Sequence, residues 1–168
     1  MNKVIIIGNC GAGKTTFAIQ IARKIGLPLI HLDKEYYQPG WKRPEKDQWQ
    51  KKVTELVSEP KWILDGNYIS SLDIRLKEAD TIIFLDINRW ICILSVLKRI
   101  MQGNIRDDMA LGCKERFDTK FLKYVWSYNK QIRPRVYDLL NEYRETDLII
   151  LNSRKEMREY IDHFPKND

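Results

Sequence analysis

The junction between Val4-Ile5-Ile6-Ile7 and Gly8-Asn9-Cys10-Gly11-Ala12-Gly13-Lys14-Thr15 constrains the fold more tightly than any other segment. A short run of β-branched residues with no polar alternation suits a strand buried on both faces. The glycines after it let the backbone curl until successive N–H groups point inward at an anion. A helix beginning at Lys14 adds the partial positive charge of its N-terminus. The spacing Gly-x4-Gly-Lys-Thr is that of a phosphate-binding P-loop. In such a loop the lysine reaches the β- and γ-phosphates and the hydroxyl ligates Mg²⁺. Gly8, Asn9, Cys10, Gly11, Ala12, Gly13, Lys14, Thr15 and Thr16 are therefore the expected nucleotide-binding residues, with Thr15 also on the metal.

Elsewhere short apolar strands alternate with helices. The pattern predicts a helix over residues 14–25, with Phe17, Ile21 and Ile25 on its buried face and Gly26 and Pro28 ending it. Residues 29–32 read as a strand ending at Asp33, followed by the irregular aromatic stretch Tyr36-Tyr37-Gln38-Pro39-Gly40-Trp41. Pro44 opens a helix whose Trp49, Val53 and Leu56/Val57 face inward. Further strands are expected at 62–64, 81–85 and 148–151, and helices at 71–78, 89–101, 114–131 and 134–144. In 114–131, Phe117, Phe121, Tyr124/Val125 and Tyr128 share one face, and Arg116, Lys120, Lys123 and Lys130 the other. Ser153-x-x-Glu156 is a capping box for a last helix. The expected class is α/β: a three-layer P-loop NTPase fold, with a five-stranded parallel sheet covered by helices on both faces and right-handed crossovers. No repeat or linker interrupts residues 1–168, so one domain is expected.

Composition narrows the setting. No apolar run approaches the roughly 20 residues that span a bilayer. The N-terminus is too short for a signal peptide before the glycine loop begins. Cys10, Cys92 and Cys113 show no paired metal spacing and read as free thiols in a reducing cytoplasm. The net charge of +6 is concentrated in residues 98–135, which hold ten Lys or Arg and four acids. Negative charge is expected to be handled there. The segment reads either as a set of arginines for a transferring phosphoryl group or as a solvated basic face.

With these residues in view, nearly the whole chain resembles the small P-loop kinases of the adenylate kinase and shikimate/gluconate kinase group. Asp65-Gly66 resembles the Asp-Gly that follows the same strand in adenylate kinases, which implies that Asp65 orients Mg²⁺ through water. Arg106-x-Asp108 followed by Arg116 resembles a lid signature, and Arg99 a lid-entry arginine. The resemblance implies a small helical lid over about 99–116, with Arg99, Arg106 and Arg116 acting on the transferring group. His31-Leu32-Asp33, Tyr37-x-Pro39-Gly40-Trp41, Asp65-Gly66-Asn67-Tyr68 and residues 106–128 are similar, more closely, to the bacterial DNA topology modulation (FlaR-type) family. That family is adenylate-kinase-like, and its name describes a phenotype. Adenylate kinases grip the acceptor phosphate with two arginines that this chain lacks at the matching places. Arg43 or Arg75 could substitute.

Asp33 ends a strand on the edge where ligands sit in open α/β sheets. It can take a proton from an attacking hydroxyl, or simply cap a loop. Tyr36, Tyr37 and Trp41 can stack on a sugar or base, or form a flap over the core. His31 reads as a packed, hydrogen-bonded residue and His163 as surface, and Cys10 as a small filler whose thiol could make the loop oxidation-sensitive. The expected catalytic set is Lys14, Asp33, Arg99, Arg106 and Arg116; Asp33, Tyr37, Trp41, Asn67 and Arg75 are expected at the acceptor, and Thr15 and Asp65 at the metal. No Asn-Lys-x-Asp segment is present to fix guanine, which favours ATP. The leading expectation is a kinase, monomer or homodimer, acting on a small acceptor (a nucleotide or hydroxylated metabolite). The alternative is a nucleotide-binding protein associated with DNA through the basic 116–130 helix. That helix lacks a helix-turn-helix or zinc-finger partner, so nucleic acid is not favoured.

Overall fold

A computed structural model describes residues 1–102, 109–110, 112–113, 117–143 and 146–165. At its centre β1 (Lys3–Gly8) pairs in parallel with both β3 (Trp62–Asp65) and β4 (Thr81–Leu85). β2 (Leu29–His31) lies outside β3 and β5 (Asp147–Leu151) outside β4, giving the order β2-β3-β1-β4-β5. All pairings are parallel, as the alternating pattern requires.

The unbroken apolar run of β1 is explained by two separate cores. Val4 and Ile6 join Ile83 and Leu85 on one face, beneath α1 (Lys14–Ile25), α5 (Arg89–Gln102), α6 (Thr119–Gln131) and α8 (Arg154–Asp162). Ile5 and Ile7 join Leu64 and Phe84 on the other, against α3 (Lys46–Val57), α4 (Leu72–Glu78) and α7 (Arg133–Glu142). Each of the four β1 residues is fully buried. At about 1.5–3 kcal/mol per buried aliphatic side chain, the central strand alone fixes which face every helix must cover.

Several element boundaries follow from side chains that intervene locally. α1 starts on left-handed Gly13 and stops at Gly26, whose N–H bonds Ala22 O at 2.9 Å. β2 ends one residue earlier than its pattern suggests. Leu32 turns into the core and a short helix, α2 (Leu32–Tyr36), begins there with Asp33 and Glu35 in its first turn. α3 begins at Lys46 rather than at Pro44. A 3-10 turn (Ile69–Ser71) precedes α4, which starts at Leu72.

α6 begins at Thr119 because the Asp118 carboxylate accepts from the N–H groups of Lys120 and Phe121. Phe117 therefore precedes the helix and is 65% exposed instead of sharing its inner face. Ser153 caps the last helix as expected, its Oγ accepting from Glu156 N at 3.1 Å, while Glu156 Oε2 reaches one residue further back and accepts from Asn152 N at 2.8 Å. Among the described residues no helix is long and apolar enough to cross a membrane. Arg106 and Arg116, and with them most of the lid expected at about 99–116, lie outside the described residues.

Candidate active site

The strand register sets His31, the last residue of β2, beside Asp65, the last of β3, and Asp65 beside Ile6, two residues before β1 ends at Gly8. From that edge the loop leaves Gly8 and turns tightly, Ala12 N bonding Asn9 O at 3.1 Å. Gly11 has φ +83°, and a Cβ there would stand 2.3 Å from the carbonyl oxygen of Cys92 in α5. The loop thus needs glycine both for its curl and for its approach to α5. Lys14 Nζ rests on Asn9 O at 3.1 Å, folded back across the loop. Asn9 itself is buried and donates to Val125 O of α6 at 2.9 Å.

Thr15 and Asp65 meet at this edge. Thr15 Oγ1 donates to Asp65 Oδ2 at 2.9 Å, and His31 Nδ1 lies 3.0 Å from the same oxygen. The other oxygen, Oδ1, is buried without a hydrogen-bond partner among the described residues. Mg²⁺ takes oxygen donors, commonly one or two carboxylates with substrate phosphates and water. A hydroxyl beside a buried carboxylate with an unused oxygen is a donor set that fits it. His31 is the packed, hydrogen-bonded residue that the sequence suggests.

Asn67 ties this region to the helices. Its Oδ1 accepts from Gly8 N at 3.2 Å, so the residue after the Asp65-Gly66 pair holds the first turn of the loop. On α6, burial pushes the Tyr124 hydroxyl up to about 12 and Tyr128 higher, and the nearby Asn67 side chain opposes that shift. The Tyr128 hydroxyl is buried with no hydrogen-bond partner among the described residues. The Tyr124 and Tyr128 rings lie edge to face at 6.5 Å.

Beyond them stands an aromatic wall. Tyr36 meets Tyr37, Trp49 and Tyr68 at centroid distances of 5.0, 4.9 and 4.6 Å, and Tyr37 meets Trp41 edge to face at 5.0 Å. Tyr68 OH donates to Asp33 Oδ1 at 2.7 Å. Burial and this carboxylate push the Tyr68 hydroxyl far above its ordinary pKa, so it remains a donor. Tyr68 and Trp41 have φ of 26° and 64°, the non-glycine positive values among the described residues. Each costs roughly 1–3 kcal/mol, and strain of this kind concentrates at functional sites.

Arg75 holds the loop that carries Tyr68. It is fully buried, and burial pushes its pKa down to about 9, leaving it charged at neutral pH. Its guanidinium donates to Gly66 O at 2.9 Å, Asn67 O at 2.6 Å, Tyr68 O at 3.1 Å and Ser71 O at 3.3 Å. Expected at the acceptor, it instead clasps the backbone of the loop that presents Asn67 and Tyr68.

The structure brings Lys14, Thr15, Asp65 and Asn67 together at one edge, with Asp33, Tyr37 and Trp41 on the neighbouring wall. Arg99 sits in the last turn of α5, half-buried. Sequence reasoning missed Tyr68, Tyr124 and Tyr128. The signal for Tyr68 lay in its place directly after Asp65-Gly66-Asn67, whereas the α6 pair had the spacing of ordinary core residues.

This architecture matches solved kinases. A shikimate kinase from Acinetobacter baumannii in complex with shikimate matches with TM-score 0.57 and 14% identity, over 97% of this chain and 90% of that one. A deoxyadenosine kinase from M. mycoides with bound dCTP matches with TM-score 0.50 and 16% identity, over 95% and 96%. The same enzyme with products dCMP and a flexible dCDP gives TM-score 0.53 at 14% identity, over 95% and 96%. The chain has the α/β fold of small P-loop kinases. No protein-family model and no curated protein matches it.

Proposed function

We propose that the protein is a kinase that transfers the γ-phosphoryl group of ATP to a hydroxyl of a small acceptor. The observation that carries this reading is the convergence, on one edge of the sheet, of the Gly8–Thr15 loop and a carboxylate, Asp33, set in an aromatic wall. The loop N–H groups and the α1 N-terminus bind the triphosphate, and Lys14 leaves Asn9 O for the β- and γ-phosphates. Thr15 and Asp65 would hold Mg²⁺, which would supply positive charge to offset the triphosphate. Asp33 accepts the proton as the acceptor oxygen forms its bond to phosphorus and the bond from the γ-phosphorus to the ADP oxygen breaks. Tyr68 orients Asp33, and Tyr37, Trp41 and Asn67 line the acceptor. Arg99, Arg106 and Arg116 neutralise the transferring group from the lid, excluding water as it closes. The buried position of Arg75 supports a scaffolding role instead of acceptor contact.

The test is ADP release across nucleoside monophosphates, nucleosides, sugars and sugar acids, with Lys14→Ala as control. Turnover that no acceptor raises above the ATP-only rate would remove the kinase reading.

A second reading follows the resemblance to the FlaR-type family: a nucleotide-binding protein associated with DNA. It is supported by Trp90 and Trp126, 58% and 37% exposed and 4.6 Å apart, beside the exposed Lys120, Lys123 and Lys130 of α6. Aromatic faces with cations suit nucleic acid, and binding would be steeply salt-dependent. A gel shift that stays negative at low salt excludes it.

A further inference from the structure

The outward side of α5 is nearly as apolar as its inward side. At about 100° per residue, Trp90, Ile91, Leu94, Lys98 and Met101 fall within an arc of about 100°. Cys92 and Val96 lie on the opposite side, fully buried, with Ile93 and Ile100 packed against the same core. On the outer arc Leu94 is 64% and Met101 87% exposed, Trp90 and Ile91 are exposed with them, and Lys98 is the one charge. A helix that is apolar on both sides is normally covered on both, and contiguous exposed apolar surface marks an interaction site.

α6 extends this face. Trp126 meets Trp90 edge to face, and the Arg89 guanidinium lies 4.2 Å from the Trp126 ring centroid. Lys123 and Lys130, about one turn either side of Trp126 on α6, are exposed at its margin. Tryptophan and methionine at the centre with lysines at the rim is the composition of an interface between proteins. A nucleic acid would find a single cation along the α5 arc, among aliphatic side chains that offer a phosphate nothing.

The arc is also complementary to itself. In a two-fold dimer a residue i that meets j is met by j in return. Two copies of α5 laid antiparallel across Leu94 set that leucine on its own counterpart. Trp90 and Lys98, each four residues from Leu94, then stand opposite one another twice. An ammonium over an indole is a favourable contact, and Arg89 on Trp126 makes the same kind of pair within one chain. No charge of the arc meets one of its own sign.

We propose that this face joins two copies of the chain, α5 packing antiparallel on α5 of the second copy about an axis at Leu94, with Trp90 of each on Lys98 of the other. The proposal is independent of the phosphoryl acceptor.

Sedimentation velocity of the full chain tests it. Wild type should form a dimer with a Kd of about 10 µM or tighter. Leu94→Glu sets two carboxylates against each other at the axis and should raise that Kd at least about a hundredfold, as should Leu94→Lys. Mixed in equal amounts, the two variants should pair again to within about tenfold of wild type, because residue 94 meets residue 94. Lys98→Ala, an exposed change that leaves the fold alone, should weaken the dimer about tenfold through two lost cation–indole contacts. Leu94 is exposed in the single chain, so circular dichroism of both Leu94 variants should match wild type. A wild-type monomer at every concentration overturns the proposal, as does a dimer that none of these substitutions weakens. Two monomeric variants that fail to pair when mixed overturn the two-fold contact at Leu94. A monomer that instead binds duplex DNA, or vesicles of phosphatidylcholine with phosphatidylglycerol, and loses that binding in Leu94→Glu gives the face to the other partner and also overturns it.

Discussion

On one side of the Thr15–Asp65 contact, the glycine loop is shaped largely by backbone, from eight successive residues that run from the last residue of one strand into the first turn of one helix. On the other, Asp33, Trp41 and Tyr68 are joined through Tyr36 and Tyr37 from separate segments of the chain. The first arrangement relies on the absence of side chains, as at Gly11, where a methyl group would strike α5. The second relies on large side chains and on Arg75, which clasps the loop from within. A region built from backbone tolerates few substitutions but repeats wherever the spacing recurs. One built from side chains can change its ligand without disturbing the sheet.

The widest separation should come from Asp33→Asn. Proton acceptance is worth about 10²–10⁴ in rate, so turnover should fall by that factor while ATP affinity stays near wild type. Equal losses of ATP affinity in Asp33→Asn and Lys14→Ala, measured by calorimetry, would mean that the two regions do not act separately.

Next is Arg75→Met, which keeps the volume and removes the donors. Leaving its carbonyls unpaired should cost about 3 kcal/mol. For a chain of this size that is roughly 6–12 °C in Tm. ATP should still raise the melting temperature of this variant, whereas Gly11→Ala should lose that protection because its added methyl displaces the loop.

Gly40→Ala sharpens the same contrast from the other side. Gly40 also has positive φ, +79°, but a Cβ there meets nothing within 4 Å. Only conformational strain remains, about 1 kcal/mol, so the stability loss by denaturant unfolding should be well below that of Gly11→Ala.

The smallest effect is a pH dependence. Glu156 is held below its ordinary pKa by the Asn152 N–H, then by the Ser153 hydroxyl. Its depressed value means that the stabilisation is complete above the ordinary glutamate range and fades as pH falls through the lowered pKa. α8 also carries Met157, whose Cε would lie 3.5 Å from a Cβ at Gly13, so the weakening is felt beside the glycine loop. Between pH 6 and 3, Glu156→Gln should lose less stability than wild type; parallel acid curves would assign the dependence elsewhere.

The legible parts of the chain are those where short-range chemistry decides. The α1 boundaries, β4 and the capping box all follow from neighbours within four residues. α2 escaped because Leu29 to Leu32 is equally apolar as strand or helix; the burial of Leu32 and the contact of His31 with Asp65 break the tie. Tyr124 and Tyr128 share the helical spacing of Val125, and periodicity cannot tell a core phenol from one held near Asn67. Arg75 belongs to a class that is seldom fully buried, so its inward direction became visible only with the carbonyls it serves.

The two outer strands of the sheet have a bearing on association between molecules. An outer strand presents unpaired N–H and C=O groups and can template pairing with another chain. Here β2 is only three residues long and runs straight into α2, leaving little edge to extend. β5 is longer, but it begins with an exposed Asp147, a charge that any added strand would have to bury beside the exposed Leu148. Shortness guards one margin and charge the other, so both edges of the sheet resist the addition of a strand from a second molecule.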